Sequence, residues 1–169
     1  TKAVSEATGI AEENVILCTT HNHAGPAQST TKQGGKEFKS ILINGITTAC
    51  KLALEDRAPA TMSAGEIKAD GYVFPRHYKM MDGSYAGSSY GNLIVDIAYE
   101  GDSTLQMIQF TREGKKPVLL MNLGAHATFL SSTNIKTLSS DFPGPLREHI
   151  EGNSDVLVAY FLGAAGDQT

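Results

Sequence analysis

Three of the chain's five histidines lie where apolar segments end. Imidazole side chains can bind transition metals and can transfer protons near neutral pH. His21 and His23 follow the apolar run 14–19, and His126 follows the run 117–123. In extended backbone, residues two apart point the same way, and ligands of open α/β sheets gather beyond the carboxyl ends of strands. The spacing predicts a metal or acid–base site. The alternatives are an exposed His-x-His pair without function and a packed or capping His126.

Two further segments carry polar side chains. Arg76 lies in the aromatic stretch 74–78, where its planar guanidinium could hold a carbonyl or carboxylate oxygen of a substrate. The alternative is a surface arginine lying over the neighbouring aromatic rings. Ser140 or Asp141 is expected to cap the helix that follows. His149 lies within a polar helical pattern, and no function is assigned to it.

The helices that must position these residues are predicted from periodicity and end signals. Residues 2–8 form the last turns of a helix that Gly9 ends. Apolar residues recur at three- and four-residue steps over 37–55, which predicts one long amphipathic helix. A further helix is predicted at 143–151, with proline near its start.

The strands are predicted from short apolar runs and from alternation. The predicted strands are 14–19, 60–69, 93–99, 104–110, 117–123 and 155–162. The first and the last of these are expected to be buried. The turns 100–103 and 113–116 are short enough for antiparallel hairpins. The resulting class is α/β, a mixed sheet with an antiparallel meander flanked by helices.

Composition sets the limits of this interpretation. The chain has 169 residues with 14 Lys and Arg against 18 Asp and Glu, so its formal net charge is −4. This length predicts one domain over 1–169, and the charge makes nucleic acid an unexpected partner. No apolar run is long enough to span a bilayer. The two cysteines do not have zinc-ligand spacing. Both ends are expected to be internal to a longer protein.

Four segments, in order along the whole chain, resemble motifs of the neutral/alkaline (non-lysosomal) ceramidase family. Residues 20–26 (THNHAGP) resemble its T-H-T-H-S-G-P segment, and 124–128 (GAHAT) resemble A-V-H-x-T. Residues 138–144 (LSSDFPG) resemble I-S-x-D-x-x-G, and 166–169 (GDQT) resemble the start of G-D-V-S-P. Any one of these motifs is weak, but their shared order makes the resemblance fairly specific.

The resemblance implies that the chain is part of a larger catalytic domain, that of a zinc-dependent amidohydrolase that cleaves the N-acyl amide bond of ceramide or a related lipid. By matching motifs, His21 and His126 would bind zinc, and His23 would be catalytic. Arg76 would be catalytic and would contact substrate oxygens, and Gly25 would bind substrate. Thr169 stands where the family has its nucleophilic serine.

The departures from the family motifs leave the reaction open. Gln168 replaces a valine, Pro75 replaces an asparagine, and the threonine methyl of Thr169 crowds the line of attack. A zinc-activated water is the alternative nucleophile. The family's other zinc ligands, a Glu and a Tyr, come from further along its chains, so this chain is expected to bind zinc weakly and to be inactive by itself.

Two other functions are compatible with the same motifs. One is a metal-dependent hydrolase of a different small amide, ester or glycoconjugate, and the other is a catalytically silent lipid-binding relative. The expected partner is a lipid or amide small molecule, with peripheral membrane contact through further parts of the protein. The family suggests a secreted or extracytoplasmic location. Residues 27–35 and 82–91 could be lids or tolerant surface loops.

Overall fold

A computed structural model describes residues 1–26, 31, 34–87, 93–130 and 137–169. The described residues form two compact units, 1–18 with 25–59 and 19–24 with 60–169. The single domain over 1–169 stays a prediction. Parts of the two predicted lid segments, namely 27–30, 32–33 and 88–91, lie outside the described residues, and the lids therefore also stay a prediction.

The first unit contains two α-helices. Helix α1 spans Lys2–Thr8 and ends at Gly9, which takes a left-handed φ of 74° and donates its N–H to Ser5 O. Helix α2 spans Gly35–Glu55, so the periodicity of 37–55 located it to within two residues. Both helix predictions are confirmed. In the described part of the chain, no helix is both long enough and apolar enough to cross a membrane.

The predicted strand at 14–19 is wrong. A short 3-10 turn occupies Glu12–Asn14, and the following residues belong to no strand, with Ile16 88% exposed. An apolar run becomes a strand only where a neighbouring strand accepts its backbone hydrogen bonds. No such strand pairs with 14–19 in the described residues. Residues 14–19 therefore have the apolar composition of a buried strand but, among the described residues, no neighbouring strand to pair with.

The second unit is built on a four-stranded mixed sheet in the order β1-β5-β6-β7. Its strands are β1 (Ala60–Lys68), β5 (Thr104–Arg112), β6 (Val118–Leu123) and β7 (Leu157–Leu162). The β1–β5 and β5–β6 pairs are antiparallel, and the β6–β7 pair is parallel. The hairpin at 113–116 joins β5 to β6 as predicted, and Gly114 supplies the positive φ of 65° in that turn. The mixed α/β class is confirmed.

A second, three-stranded antiparallel sheet lies in the same unit, in the order β3-β2-β4. Its strands are β2 (Tyr78–Met80), β3 (Tyr85–Ala86) and β4 (Ile94–Ile97). Because β4 pairs with β2, the hairpin predicted at 100–103 is wrong. The connection between β4 and β5 is instead fixed by Asp102, whose backbone N–H donates to Gln168 Oε1 over 2.6 Å.

Helix α3 spans Pro143–Asn153 and packs against β7. The predicted side-chain cap by Ser140 or Asp141 is wrong, because the residue at the cap position is Phe142 and no side chain caps the helix. Asp141 is only 3% exposed and has a φ of 52°. Its carboxylate accepts hydrogen bonds from the backbone N–H groups of Leu130 and Phe142. Asp141 therefore joins the loop after β6 to the start of α3.

The core of this unit lies under the carboxyl ends of β6 and β7. Val73, Leu123 and Ala125 are buried together, and Phe142 and Tyr160 pack against them. The rings of Phe142 and Tyr160 meet edge to face, with centroids 5.5 Å apart. This packing supports the loops that leave the sheet at the same edge.

Candidate metal and catalytic site

Two loops leave neighbouring parallel strands at one edge of the mixed sheet. The last residues of β6 and β7, Leu123 and Leu162, are register partners, so both strands end at the same level. Gly163 N–H donates to Leu123 O over 3.0 Å and holds the loops together where they begin. The carboxyl ends of parallel strands are the usual place for ligands in such sheets. Residues 124–128 and 163–169 therefore occupy a favourable position for a site.

The segment 19–24 supplies the other two histidines. His23 N–H donates to Ala127 O over 3.2 Å, and Ser139 N–H donates to Ala24 O over 3.2 Å. His21 has a φ of 51°, a left-handed conformation that few residues other than glycine adopt. The extended backbone expected around His21 is therefore wrong, because the chain turns there. The side chains of His21 and His23 nevertheless meet, with ring centroids 5.2 Å apart.

The three histidines converge on one point. One nitrogen from each of His21, His23 and His126 lies within 4.8 Å of the others. The Nε2 atoms of His23 and His126 are 3.0 Å apart. Two nitrogens bound to one tetrahedral zinc at about 2.0–2.1 Å lie roughly 3.3 Å from each other, so this spacing suits a shared ion. His126 is 7% exposed whereas the other two are exposed, which leaves the cluster open on one side.

A backbone carbonyl orients the buried histidine. His126 Nδ1 lies 3.1 Å from Ala165 O, which can only accept a hydrogen bond, so the network assigns the proton to Nδ1. The Nε2 lone pair then faces the cluster, where the Nε2–H of His23 donates to it. A metal ion would take the place of that proton. A second partner of this kind is what metal-binding histidines usually have. The donor set therefore fits a zinc ion.

Burial and positive charge favour the neutral form of His126. Burial lowers the pKa of His126, the charges of Arg76, His21 and His23 lower it further, and the hydrogen bond to Ala165 O opposes them. A neutral imidazole is the form that binds a metal. The local electrostatics therefore favour the ligand form of this side chain.

Arg76 lies beside the loop that follows β7. Its Nη2 donates to Gly166 O over 2.7 Å, and its backbone N–H donates to Asp167 O over 2.6 Å. Its Nε is buried and has no hydrogen-bond partner among the described residues. The guanidinium thus holds one carbonyl oxygen of the chain and has a further donor. Its predicted contact with substrate oxygens stays a prediction.

Thr169 is joined to the loop of His126 through a second threonine. The Oγ1 atoms of Thr169 and Thr128 are 3.1 Å apart, and Thr128 N–H donates to His126 O over 2.9 Å. Phe74 and Thr169 exchange two backbone hydrogen bonds of 2.8 Å, which fix the backbone of Thr169. The hydroxyl of Thr169 is therefore held in the same loop cluster as the histidines.

Five of the six predicted site residues lie in one compact unit. His21, His23 and His126 form the cluster, and Arg76 and Thr169 adjoin its loops. Gly25 belongs to the other compact unit, so its contact with substrate stays a prediction. Two contributors had no predicted function: the Ala165 carbonyl, which carries no side-chain signal, and Gln168, which the sequence marked only as a departure from a motif.

Comparison with known proteins gives two matches among solved structures, while no family model and no curated protein matches the sequence. One is a ceramidase complexed with C2, with a TM-score of 0.72 and 19% identity. The other is a neutral ceramidase from Pseudomonas aeruginosa, with a TM-score of 0.71 and 18% identity. Each alignment covers 99% of this chain and 28% of the other chain. The resemblance drawn from the motifs is thus confirmed at the level of the fold: the chain has the fold of a segment that makes up 28% of these ceramidases.

Proposed function

We propose that this chain forms part of a zinc-dependent amidohydrolase that cleaves the N-acyl amide bond of ceramide or a related lipid. The observation that carries the proposal is the convergence of His21, His23 and His126 in a chain with a ceramidase fold. When bound, zinc would act as a Lewis acid that polarises the amide carbonyl. Two of the three histidines are exposed, so a substrate could reach the ion from the open side of the cluster.

The chain's own side chains then have distinct functions. His21 and His126 bind the metal, and His23 binds it too or moves a proton beside it. The Arg76 guanidinium, whose Nη2 also donates to Gly166 O, holds the substrate carbonyl oxygen. Thr169 Oγ1 attacks the amide carbon and gives up its proton, the C–N bond breaks, the amine leaves with that proton, and an acyl ester remains on Thr169. Water then cleaves the acyl ester and releases the fatty acid.

The metal part of the proposal is tested by stoichiometry. Zinc is measured by plasma mass spectrometry and by competition with a chromophoric chelator in the purified chain. We expect up to one zinc per chain, weakly held, and loss of binding in His21→Ala and His126→Ala. His149→Ala is the matched control, because His149 lies in α3 outside the cluster. A chain that binds no zinc, or that binds it equally well in all three variants, would refute the metal site.

The substrate part is tested by hydrolysis. Fatty-acid release from an N-acylsphingosine is measured for the chain and for any longer gene product that contains it, with and without a chelator. Hydrolysis that zinc restores supports the amidohydrolase. Zinc binding without turnover of any substrate supports the catalytically silent lipid-binding relative.

A second candidate is a metal-dependent hydrolase of a smaller amide, ester or glycoconjugate. The observation that favours it is the threonine at position 169, whose hydroxyl is paired with Thr128 Oγ1 at 3.1 Å. A β-branched nucleophile leaves less room for a bulky acyl group at the reacting carbon. A panel of short-chain and long-chain amides and esters separates the two: preference for short acyl groups, which Thr169→Ser relaxes, indicates the second candidate.

A further inference from the structure

Gln168 is a buried side chain whose hydrogen bonds join three loops. It is 4% exposed, and its Oε1 accepts from Asp102 N–H over 2.6 Å. Its Nε2 donates to Gly124 O over 2.8 Å and to Ala164 O over 3.1 Å. Only one orientation of the amide satisfies these partners, because the flipped amide would place Nε2 against an N–H and Oε1 against two carbonyls.

Two glycines leave the space that this amide occupies. A Cβ at position 124 would lie 2.5 Å from Gln168 Nε2 and 2.7 Å from Ala164 O. A Cβ at position 101 would lie 2.9 Å from Gln168 Oε1. Neither glycine has a positive φ, so the requirement at both positions is for space. The backbone is therefore fitted around the glutamine amide.

The bonded carbonyls belong to the two loops that set the direction of His126. Gly124 is two residues before His126, and Ala164 precedes Ala165, whose carbonyl accepts from His126 Nδ1. The two N–H bonds of one amide thus fix the distance between the loop that carries the imidazole and the loop that orients it. We propose that Gln168 is a positioning residue that holds His126 with its proton on Nδ1 and its Nε2 directed at the metal site.

A valine, which the resembling motif has at this position, could make none of these bonds. The hydrogen bonds that Gln168 makes between these loops therefore require a polar side chain. The importance of Gln168 for catalysis rests on the proposed function, whereas its effect on the orientation of His126 does not. The two can accordingly be tested apart.

The first readout is independent of metal. The ¹⁵N chemical shifts of the His126 ring are recorded in metal-free protein, where they report which nitrogen carries the proton. We expect the Nδ1–H tautomer in the unmodified chain. Gln168→Glu removes both N–H donors, and Gln168→Met removes all polar atoms at similar length. In the folded population of either variant we expect a shift toward the Nε2–H tautomer.

The second readout is cobalt(II) affinity, measured from the visible absorption of the bound ion. We expect it to fall about tenfold in Gln168→Glu, which is the low end of the effect of residues that orient metal ligands. Gln109→Glu is the matched control, since Gln109 lies on β5 and its Nε2 donates to Thr111 Oγ1, outside the Gln168 network. It should change neither the ring shifts nor the affinity. The melting temperature, recorded in parallel, separates positioning from a general loss of stability.

The outcomes distinguish this inference from the proposed function. Unchanged His126 ring shifts in both folded variants, or an Nε2–H tautomer in the unmodified chain, would overturn the positioning role of Gln168. A tautomer shift in the variants, in a chain that binds neither cobalt nor zinc, would support the role of Gln168 and refute the metal site. A purely structural role predicts lower melting temperatures with unchanged ring shifts, and would also overturn the inference.

Discussion

Gly124→Ala tests how closely the two loops beside the candidate metal site approach each other. The added Cβ would lie 2.5 Å from Gln168 Nε2, 2.7 Å from Ala164 O and 3.4 Å from Ala164 C. Favourable contacts between heavy atoms lie at about 3.5–4.0 Å, so the first two contacts are short by about 1 Å. Ala164 O belongs to the backbone, so it cannot move away as the end of a flexible side chain could.

The loss of stability in Gly124→Ala follows from the contacts that the added methyl group disrupts. Overpacking a well-packed site costs about 1–3 kcal/mol, and each weakened Gln168 hydrogen bond adds about 0.5–1.5 kcal/mol. We expect Gly124→Ala to lower the free energy of unfolding by about 2–4 kcal/mol. At roughly 2–4 °C per kcal/mol for a chain of this size, the melting temperature falls by roughly 10 °C. Zinc affinity should also fall, because relief of the clash moves the Ala165 carbonyl.

The assay is thermal unfolding followed by circular dichroism, with Gly152→Ala as the control. Gly152 lies in α3 of the same compact unit, and a Cβ there meets nothing within 4 Å. The same substitution should therefore raise stability by up to about 1 kcal/mol, through the better helix propensity of alanine. If both variants melt at or above the temperature of the unmodified chain, the close approach of the two loops is refuted.

Three further predictions concern a tyrosine, a buried carboxylate and the metal. The hydrogen bond from Tyr99 OH to Asp167 Oδ2, 2.6 Å long, raises the pKa of Tyr99. Because the folded-state pKa exceeds the unfolded value of about 10, this bond stabilises the fold below that pH, and its contribution is lost as pH rises through the folded-state pKa. Tyr99→Phe should remove one phenolate of raised pKa from the ultraviolet absorbance titration, and an unchanged alkaline end of the curve would contradict the bond. Asp141→Asn should lower the free energy of unfolding in urea by about 1–3 kcal/mol, because an NH₂ group replaces the oxygen that accepts from Leu130 N–H. Asparagine tolerates the left-handed φ, so the backbone should not add to this loss. Equal stability of the variant would show that this carboxylate bond is unimportant. Zinc at 100 times its dissociation constant should stabilise the chain by about 2.7 kcal/mol, reversibly with a chelator and not in His126→Ala; a melting temperature indifferent to zinc would contradict this.

Local sequence patterns predicted most of the elements. The periodicity of 37–55 and the glycine after residue 8 each located a helix, because helix ends and amphipathic faces are properties of neighbouring residues. The predictions of a strand at 14–19 and of a hairpin turn at 100–103 were wrong because strand pairing is not a property of neighbouring residues. Whether an apolar run pairs, and with which strand, depends on distant residues, and Asp102 is held by Gln168, 66 residues further along the chain.

Only part of the candidate site could be predicted from the sequence. The end of β6 places His126 at one edge of the sheet, as predicted, and the structure brings His21 and His23 to it although no strand precedes them. The left-handed turn at His21 and the role of the Ala165 carbonyl were not predictable, since neither is written in a side-chain type. Asp141 shows the limit of local signals most clearly. A carboxylate before a helix suggests a cap, but one of its oxygens accepts from Leu130 N–H in the loop after β6 and the other from the N–H of the neighbouring Phe142.

The separation along the chain between the clustered histidines has a consequence for folding kinetics. His23 and His126, whose Nε2 atoms are neighbours, are 103 residues apart, and the Ala165 carbonyl comes from beyond another strand. Closing a loop of about 100 residues costs about 2 kcal/mol more entropy than closing one of about 10. A partly folded chain therefore lacks the ion site until β7 has paired with β6. Zinc should then stabilise the native state without speeding its formation, so that bound metal lengthens the lifetime of the folded chain and leaves the refolding rate unchanged.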